Sequence, residues 1–217
     1  MKASFALLFI LIISSLQLSA QSDSTKLFAK FRFRDGIYHT ANDLKNNKPN
    51  GVSADLTKNA IVTDNVIQFT KEGTNSVINT AWCIVKDGVP YVNYSENEVN
   101  SNIIIFYKLQ IQGKICYFSY TRNEYKKVPM NVFDPQSGQL VYTSFIQNRE
   151  RTVYRFMTRL SDGAILPFTR PNLQTWAADD KKIIATIADL KEDDELYARL
   201  FKSLLVYNDR NTIWIKK

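Results

Sequence analysis

Two short runs of the chain place cations on one side of an alternating pattern. Lys30, Arg32 and Arg34 alternate with Phe31 and Phe33, and Arg151, Val153, Arg155, Met157 and Arg159 alternate with Thr152, Tyr154, Phe156, Thr158 and Leu160. Side chains two apart on a strand share a face, so each run predicts a strand with one basic and one apolar side. A guanidinium offers a rigid fork of donors that matches phosphate or carboxylate. If the two strands are neighbours, these six cations converge on an anionic group. If they are not, they are two ordinary wetted faces, which antiparallel sheets often have.

Other chemistry is sparse, and the residues name no catalytic set, metal site or cofactor. The chain has one histidine, His39, which excludes multi-histidine zinc sites. No Gly-x-Ser-x-Gly elbow, phosphate-binding loop or His-Glu-x-x-His run occurs. Cys83 and Cys116 lie in apolar, strand-like text, where thiols are usually inert. A disulfide between them is not expected, because their strands are not neighbours in an up-and-down order and a bridge needs Cα atoms within about 7 Å. Glu96, Glu98, Glu124 and Asp134 fall in expected loops. A pair of such carboxylates is what glycoside hydrolysis requires, and sequence spacing alone does not exclude one.

The elements that must position these groups follow a leader. Lys2, the apolar run Phe5 to Ile13 and the small residues Ser19 and Ala20 describe a secretory signal peptide over residues 1–20. The mature chain is then expected outside the cytoplasm, in the periplasm or secreted. No cysteine follows the apolar run to carry an amino-terminal lipid anchor, and no later stretch is long and apolar enough to span a bilayer. Removing Lys2 from 28 basic residues against 21 acidic ones leaves +6. Such a balance favours anionic partners without choosing among them, and nothing points to specific nucleic-acid recognition.

Residues 21–217, in a chain that is 45% hydrophobic, suit a single domain with a real core. Residues 21–78 read as a strand, a short helix and loops. Thr40 caps that helix with Asp43 at its third position, covering Ala41 to Asn46, and Lys48-Pro49-Asn50-Gly51 stops it. Asn65 to Thr70 is a weak strand. Over residues 79–169, Gly88, Gly113, Gly138 and Gly163 recur at even spacing, each ahead of a β-prone run. Glycine tolerates positive φ, so these predict four consecutive hairpins. In the second hairpin Leu109 should face Cys116 and Tyr107 should face Phe118. Arg122 to Val128 reads as a charged connection, and Phe133-Asp134-Pro135 leaves little strand for the third hairpin. After Pro171 the period lengthens to that of helices. Leu173 and Trp176 mark one helix. Asp180 caps a second, with Ile183 and Ile187 inward. A third begins at Asp193 or Asp194, with Leu196, Leu200, Phe201, Leu204 and Leu205 on its stripe. Ile213-Trp214-Ile215 closes the chain as an edge strand. The expected class is α+β: an antiparallel β-meander of about eight or more strands, followed by two or three C-terminal helices packed on the sheet.

The run Gly36-Ile37-Tyr38-His39-Thr40-Ala41-Asn42-Asp43-Leu44-Lys45-Asn46-Asn47-Lys48-Pro49 resembles the opening of a family of uncharacterised exported proteins of gram-negative bacteria. Asp162-Gly163, Asp193-Asp194-Glu195-Leu196-Tyr197 and Tyr207-Asn208 resemble its closing part. The resemblance implies export, an α+β layout and no transferable catalytic residue. The expected function is a non-enzymatic binding or envelope-accessory module, with a basic sheet face for an anionic envelope component, or a partner to another envelope protein. The alternative is a hydrolase of envelope polymers with a loop carboxylate pair.

Overall fold

The computed structural model describes residues 24–27, 31–51, 60–70, 76–94 and 102–216. The leader, Lys30, Glu96 and Glu98 lie outside the described residues. In chain order the strands are β1 (Ser24–Lys26), β2 (Gly36–Tyr38), β3 (Ala60–Val62), β4 (Val66–Thr70), β5 (Cys83–Lys86), β6 (Val89–Asn93), β7 (Ile103–Lys108), β8 (Ile115–Phe133), β9 (Leu140–Arg159), β10 (Ile165–Pro167) and β11 (Trp214–Lys216). The helices are α1 (Ala41–Lys45), α2 (Ser76–Asn79), α3 (Arg170–Trp176), α4 (Lys181–Ala188) and α5 (Leu196–Arg210). None of them is long and apolar enough to cross a membrane.

Among the described residues three antiparallel sheets form: a six-stranded one in the order β2-β5-β6-β7-β4-β3, a three-stranded one in the order β10-β9-β8, and the pair β1-β11. The α+β class, the hairpins turning at Gly88, Gly138 and Gly163 (β5-β6, β8-β9 and β9-β10) and the C-terminal helices therefore match the sequence. The single meander does not. It breaks between β7 and β8, because β7 pairs with β6 and with β4 rather than with β8. One isolated bridge, Ile111 to Tyr117, remains of the second hairpin. The Tyr107 and Phe118 rings still stack, 5.9 Å apart, but across two packed sheets rather than within one.

Local signals hold where local physics decides. Thr40 and Asp43 form a reciprocal cap, Thr40 Oγ1 accepting from the Asp43 N–H and the Asp43 carboxylate accepting from the Thr40 N–H. Asp87 and Gly88 both take positive φ in the β5-β6 turn, as a tight hairpin needs. The segment Phe31 to Arg34 buries its two phenylalanines and exposes its two arginines, as alternation predicts. Among the described residues it joins no ladder, however. Phe33 N–H donates to Gly88 C=O, and the segment lies along the β5-β6 turn.

The core is layered. Cys83, Val85, Val92, Tyr107, Cys116, Phe118 and Phe156 pack between the six-stranded sheet and one face of β8-β9. Ile67, Ile84, Ile104 and Phe106 cover the outer face of the large sheet. On the other face of β8-β9, Ile115, Tyr117 and Met157 meet Leu173, Trp176, Ile183, Ile187, Leu200, Leu204 and Tyr207 from the helices. Helix α5 uses Tyr207 where the apolar stripe suggested Leu205, which is 46% exposed.

The largest departure is the length of β8 and β9. They pair continuously from Ile115–Arg159 to Phe133–Leu140, with a bulge at Val132/Phe133. Arg122 to Val128 is therefore strand and no connection. A ribbon wetted on both sides has no apolar alternation to announce it, and pairing across the hairpin alone supplies its backbone bonds.

Candidate binding surface

From Ser119 outward to the tip and back to Arg155, no residue is buried. At about 3.3 Å per residue, Thr121 to Phe133 makes an arm about 40 Å long. Its turn is held by Asp134, whose carboxylate accepts the N–H groups of Gln136 (2.8 Å) and Ser137 (2.7 Å), and by Gly138 at φ 68. The Ser137 and Gln136 N–H bonds hold the Asp134 carboxyl below the ordinary carboxylate range.

The register assigns each arm residue to a side. As far out as the Val132–Tyr142 rung, even-numbered residues of both strands continue the face of Phe118 and Phe156, toward the six-stranded sheet; past the bulge Leu140 pairs with Phe133 and takes its side. Odd-numbered residues continue the face of Tyr117 and Met157, toward the helices. Beyond the body, Arg122, Glu124, Lys126 and Glu150 fall on the sheet-side face. Lys127, Arg149, Arg151 and Arg155 fall on the helix-side face, which carries no carboxylate between Ser119 and Phe133 or between Thr143 and Arg155.

The two faces are therefore unlike electrically. On the sheet side, Lys126 pairs with Glu150, which holds the lysine charged, and Glu124 accepts from the Tyr154 and Thr152 hydroxyls. The Tyr154 bond in particular keeps the Glu124 carboxyl low and ionised. On the helix side the arginines change role along the strand. Arg159 lies over the Trp176 ring at 4.8 Å and pairs with Asp162. Arg155 lies over Tyr197 at 4.4 Å. Arg149 and Arg151, further out along β9, are exposed, with Tyr125 opposite Arg149.

The shared face of Arg151, Arg155 and Arg159 is thus present, but Met157 between them is fully buried because the helices cover that side. Arg32 and Arg34 do not join it. The partners of β9 are β8 and β10, while Arg32 donates to Asp87 C=O at 2.6 Å and Arg34 N–H to Asn47 Oδ1 at 2.8 Å, beside the β5-β6 turn. Lys127 and Arg149 complete the arm's basic face and escaped the sequence reading. For Arg149 a signal was available: carrying the two-residue alternation of β9 outward from Arg151 reaches Arg149 and places Glu150 on the opposite side, whereas Lys127 joins the face only through the pairing of β8 with β9.

The other candidates resolve by geometry. Cys83 and Cys116 are free and enclosed, and His39 bonds Thr80 at 3.3 Å. Burial pushes the Cys116 thiol up to about 12 and the Cys83 thiol higher still. Glu124 lies on β8 and Asp134 in the turn ten residues further on, about 33 Å at the rise of an extended chain and far beyond the separation of paired catalytic carboxylates; Glu96 and Glu98 lie outside the described residues. Asp179 and Asp180 adjoin at an open cleft near Arg210 and Asn211. Each is held low and ionised, Asp179 by Lys114 and Tyr207, and Asp180, against the effect of its burial, by the Ile183 N–H, Asn211 and Arg210. Neither is the raised carboxylic acid that glycoside hydrolysis uses as proton donor. Among the described residues, no three His, Cys, Asp or Glu side chains gather as a metal site.

No family model matches the chain, and no curated protein or solved structure does either.

Proposed function

We propose that this chain is an exported, non-enzymatic binding module of the cell envelope that engages an anionic component through the β8-β9 arm. One observation carries this: Lys127, Arg149, Arg151 and Arg155 share a face of the arm that holds no acid, while Glu124 and Glu150 stand on the other side. Fixed charges of one sign on an exposed surface raise the local concentration of opposite charge and speed encounter. Arginine adds bidentate contacts to phosphate or carboxylate. Export rests on the leader sequence, and the basic net charge of the processed chain agrees with an anionic partner.

The test is retention of the processed chain, Gln21 to Lys217, on phosphocellulose across a salt gradient. The triple variant Lys127→Gln, Arg149→Gln, Arg151→Gln should elute at clearly lower salt. Removing Glu124 and Glu150 as glutamines should leave elution unchanged or later. Equal elution of all three proteins removes the proposal.

A further inference from the structure

We propose that the helix-side face of the arm docks on an anionic lipid bilayer, lying side-on in the interface. This rests on the binding reading above and adds the class of surface. The observation behind it is the order of residues along that face. Next to the body come Arg155, Arg151 and Arg149, then Lys127, and then the rungs Pro129–Phe145 and Phe133–Leu140 toward the tip. Phe133, Leu140 and Phe145 are 55%, 53% and 63% exposed. A soluble polyanion would use the cations and leave those apolar groups in water. A bilayer uses both: the phosphates meet the basic rungs, and the phenylalanines and leucine enter the boundary between headgroups and acyl chains.

The same features choose the face and the orientation. The sheet-side face of the tip is also apolar, with Val128, Met130, Tyr142 and Ile146 exposed, but on its lower rungs Glu124 and Glu150 offset Arg122 and Lys126, leaving no net positive charge for a negative surface to attract. End-on insertion is opposed by Asp134 at the extreme tip, whose carboxylate is ionised and tied to the turn. It is opposed as well by the outer backbone groups of β8 and β9, since an open sheet edge has no partner in hydrocarbon. Side-on, about 5–10 Å deep, the edges and the turn stay at headgroup level, where water is available.

The experiment is co-sedimentation of the processed chain with vesicles of phosphatidylcholine alone and of phosphatidylcholine mixed with phosphatidylglycerol. Binding is expected to the mixed vesicles only, falling with salt. The variant Arg149→Gln, Arg151→Gln should bind about 30-fold more weakly, from a contribution of about fivefold per cation at a charged surface. The variant Phe133→Ser, Phe145→Ser should lose at least about tenfold by lost apolar burial, yet elute normally from phosphocellulose. All four side chains project from the exposed arm, so circular dichroism and melting should match the parent. Phosphocellulose retention without vesicle binding overturns the lipid assignment and leaves the binding reading standing; loss of both overturns both. Vesicle binding untouched by Phe133→Ser, Phe145→Ser overturns the side-on insertion. Should those serines instead abolish a concentration-dependent dimer while vesicles are ignored, the face belongs to a second copy of the chain and the proposal fails.

Discussion

Asn208, on the last helix, pairs with the backbone of Ile115 as a neighbouring strand would. Its Oδ1 accepts the Ile115 N–H at 3.1 Å and its Nδ2 donates to the Ile115 C=O at 2.7 Å. The contact ties α5 to the start of β8, and it explains Gly113, two residues earlier. A Cβ at Gly113 would lie 2.3 to 2.5 Å from three atoms of the Asn208 amide. Glycine stands there for close approach, whereas at Gly88, Gly138 and Gly163 it supplies positive φ.

Asn208→Ala should therefore destabilise the fold by roughly 2 kcal/mol, since it leaves a part-buried donor and acceptor without their partner. Gly113→Ala should also destabilise, because the amide it displaces makes both bonds. Urea unfolding measures each. A change below about 0.5 kcal/mol for Asn208→Ala, the range of an ordinary surface substitution, would show that the contact contributes nothing.

The two thiols should be silent in the folded protein. Cys83 and Cys116 are enclosed in one core cluster, and burial raises both well above the ordinary thiol range. At pH 8 an alkylating reagent should label neither until denaturant is added, and then both. Reductant should leave the melting temperature unchanged. Rapid labelling of the native chain would contradict the enclosure.

Arginines on one strand should separate into stabilising and binding groups. Arg159 spans Trp176 and Asp162, so Arg159→Ala should cost roughly 1 kcal/mol of stability, a figure reduced for its partial exposure. Arg151→Ala should leave the melting temperature within experimental scatter while weakening retention on phosphocellulose. The reverse pattern would mean that the arm's outer arginines are structural.

Acid should loosen the helices. Lys114, with Tyr207, holds Asp179 low, and Asp180 is low through the Ile183 N–H, Asn211 and Arg210 despite the opposing effect of burial. A carboxylate depressed in the folded state adds stability above its unfolded pKa of about 3.9, and that stability is lost as pH falls through the folded value. Stability should thus fall below about pH 4. The variant Asp179→Asn should be less stable at neutral pH and lose less on acidification. An acid limb as steep as the parent's would assign the pH dependence to other groups.

Much of the local structure was legible because the forces that set it act over a few residues. The Thr40–Asp43 cap, the Asp87-Gly88 turn, the Asp180 cap and the Ile183–Ile187 stripe all fall where residue type and spacing put them. The shared side of Arg151, Arg155 and Arg159 did too, since alternation follows from the pleat. The arm itself was hidden. Charged, wetted residues such as Arg122 to Lys127 look like a loop unless their partners across the hairpin are known.

By itself, then, the order of amino acids determined the turns, the helix ends and which side of each strand a residue takes, because each depends on backbone geometry and near neighbours. Only tertiary packing decided that β4 lies beside β7, that β8 leaves β7 for β9, and that Arg32 sits by Asp87 while Arg151 stands on a projecting arm. Those choices compare the burial of whole faces across distant parts of the chain, and no short window of sequence contains both sides of the comparison.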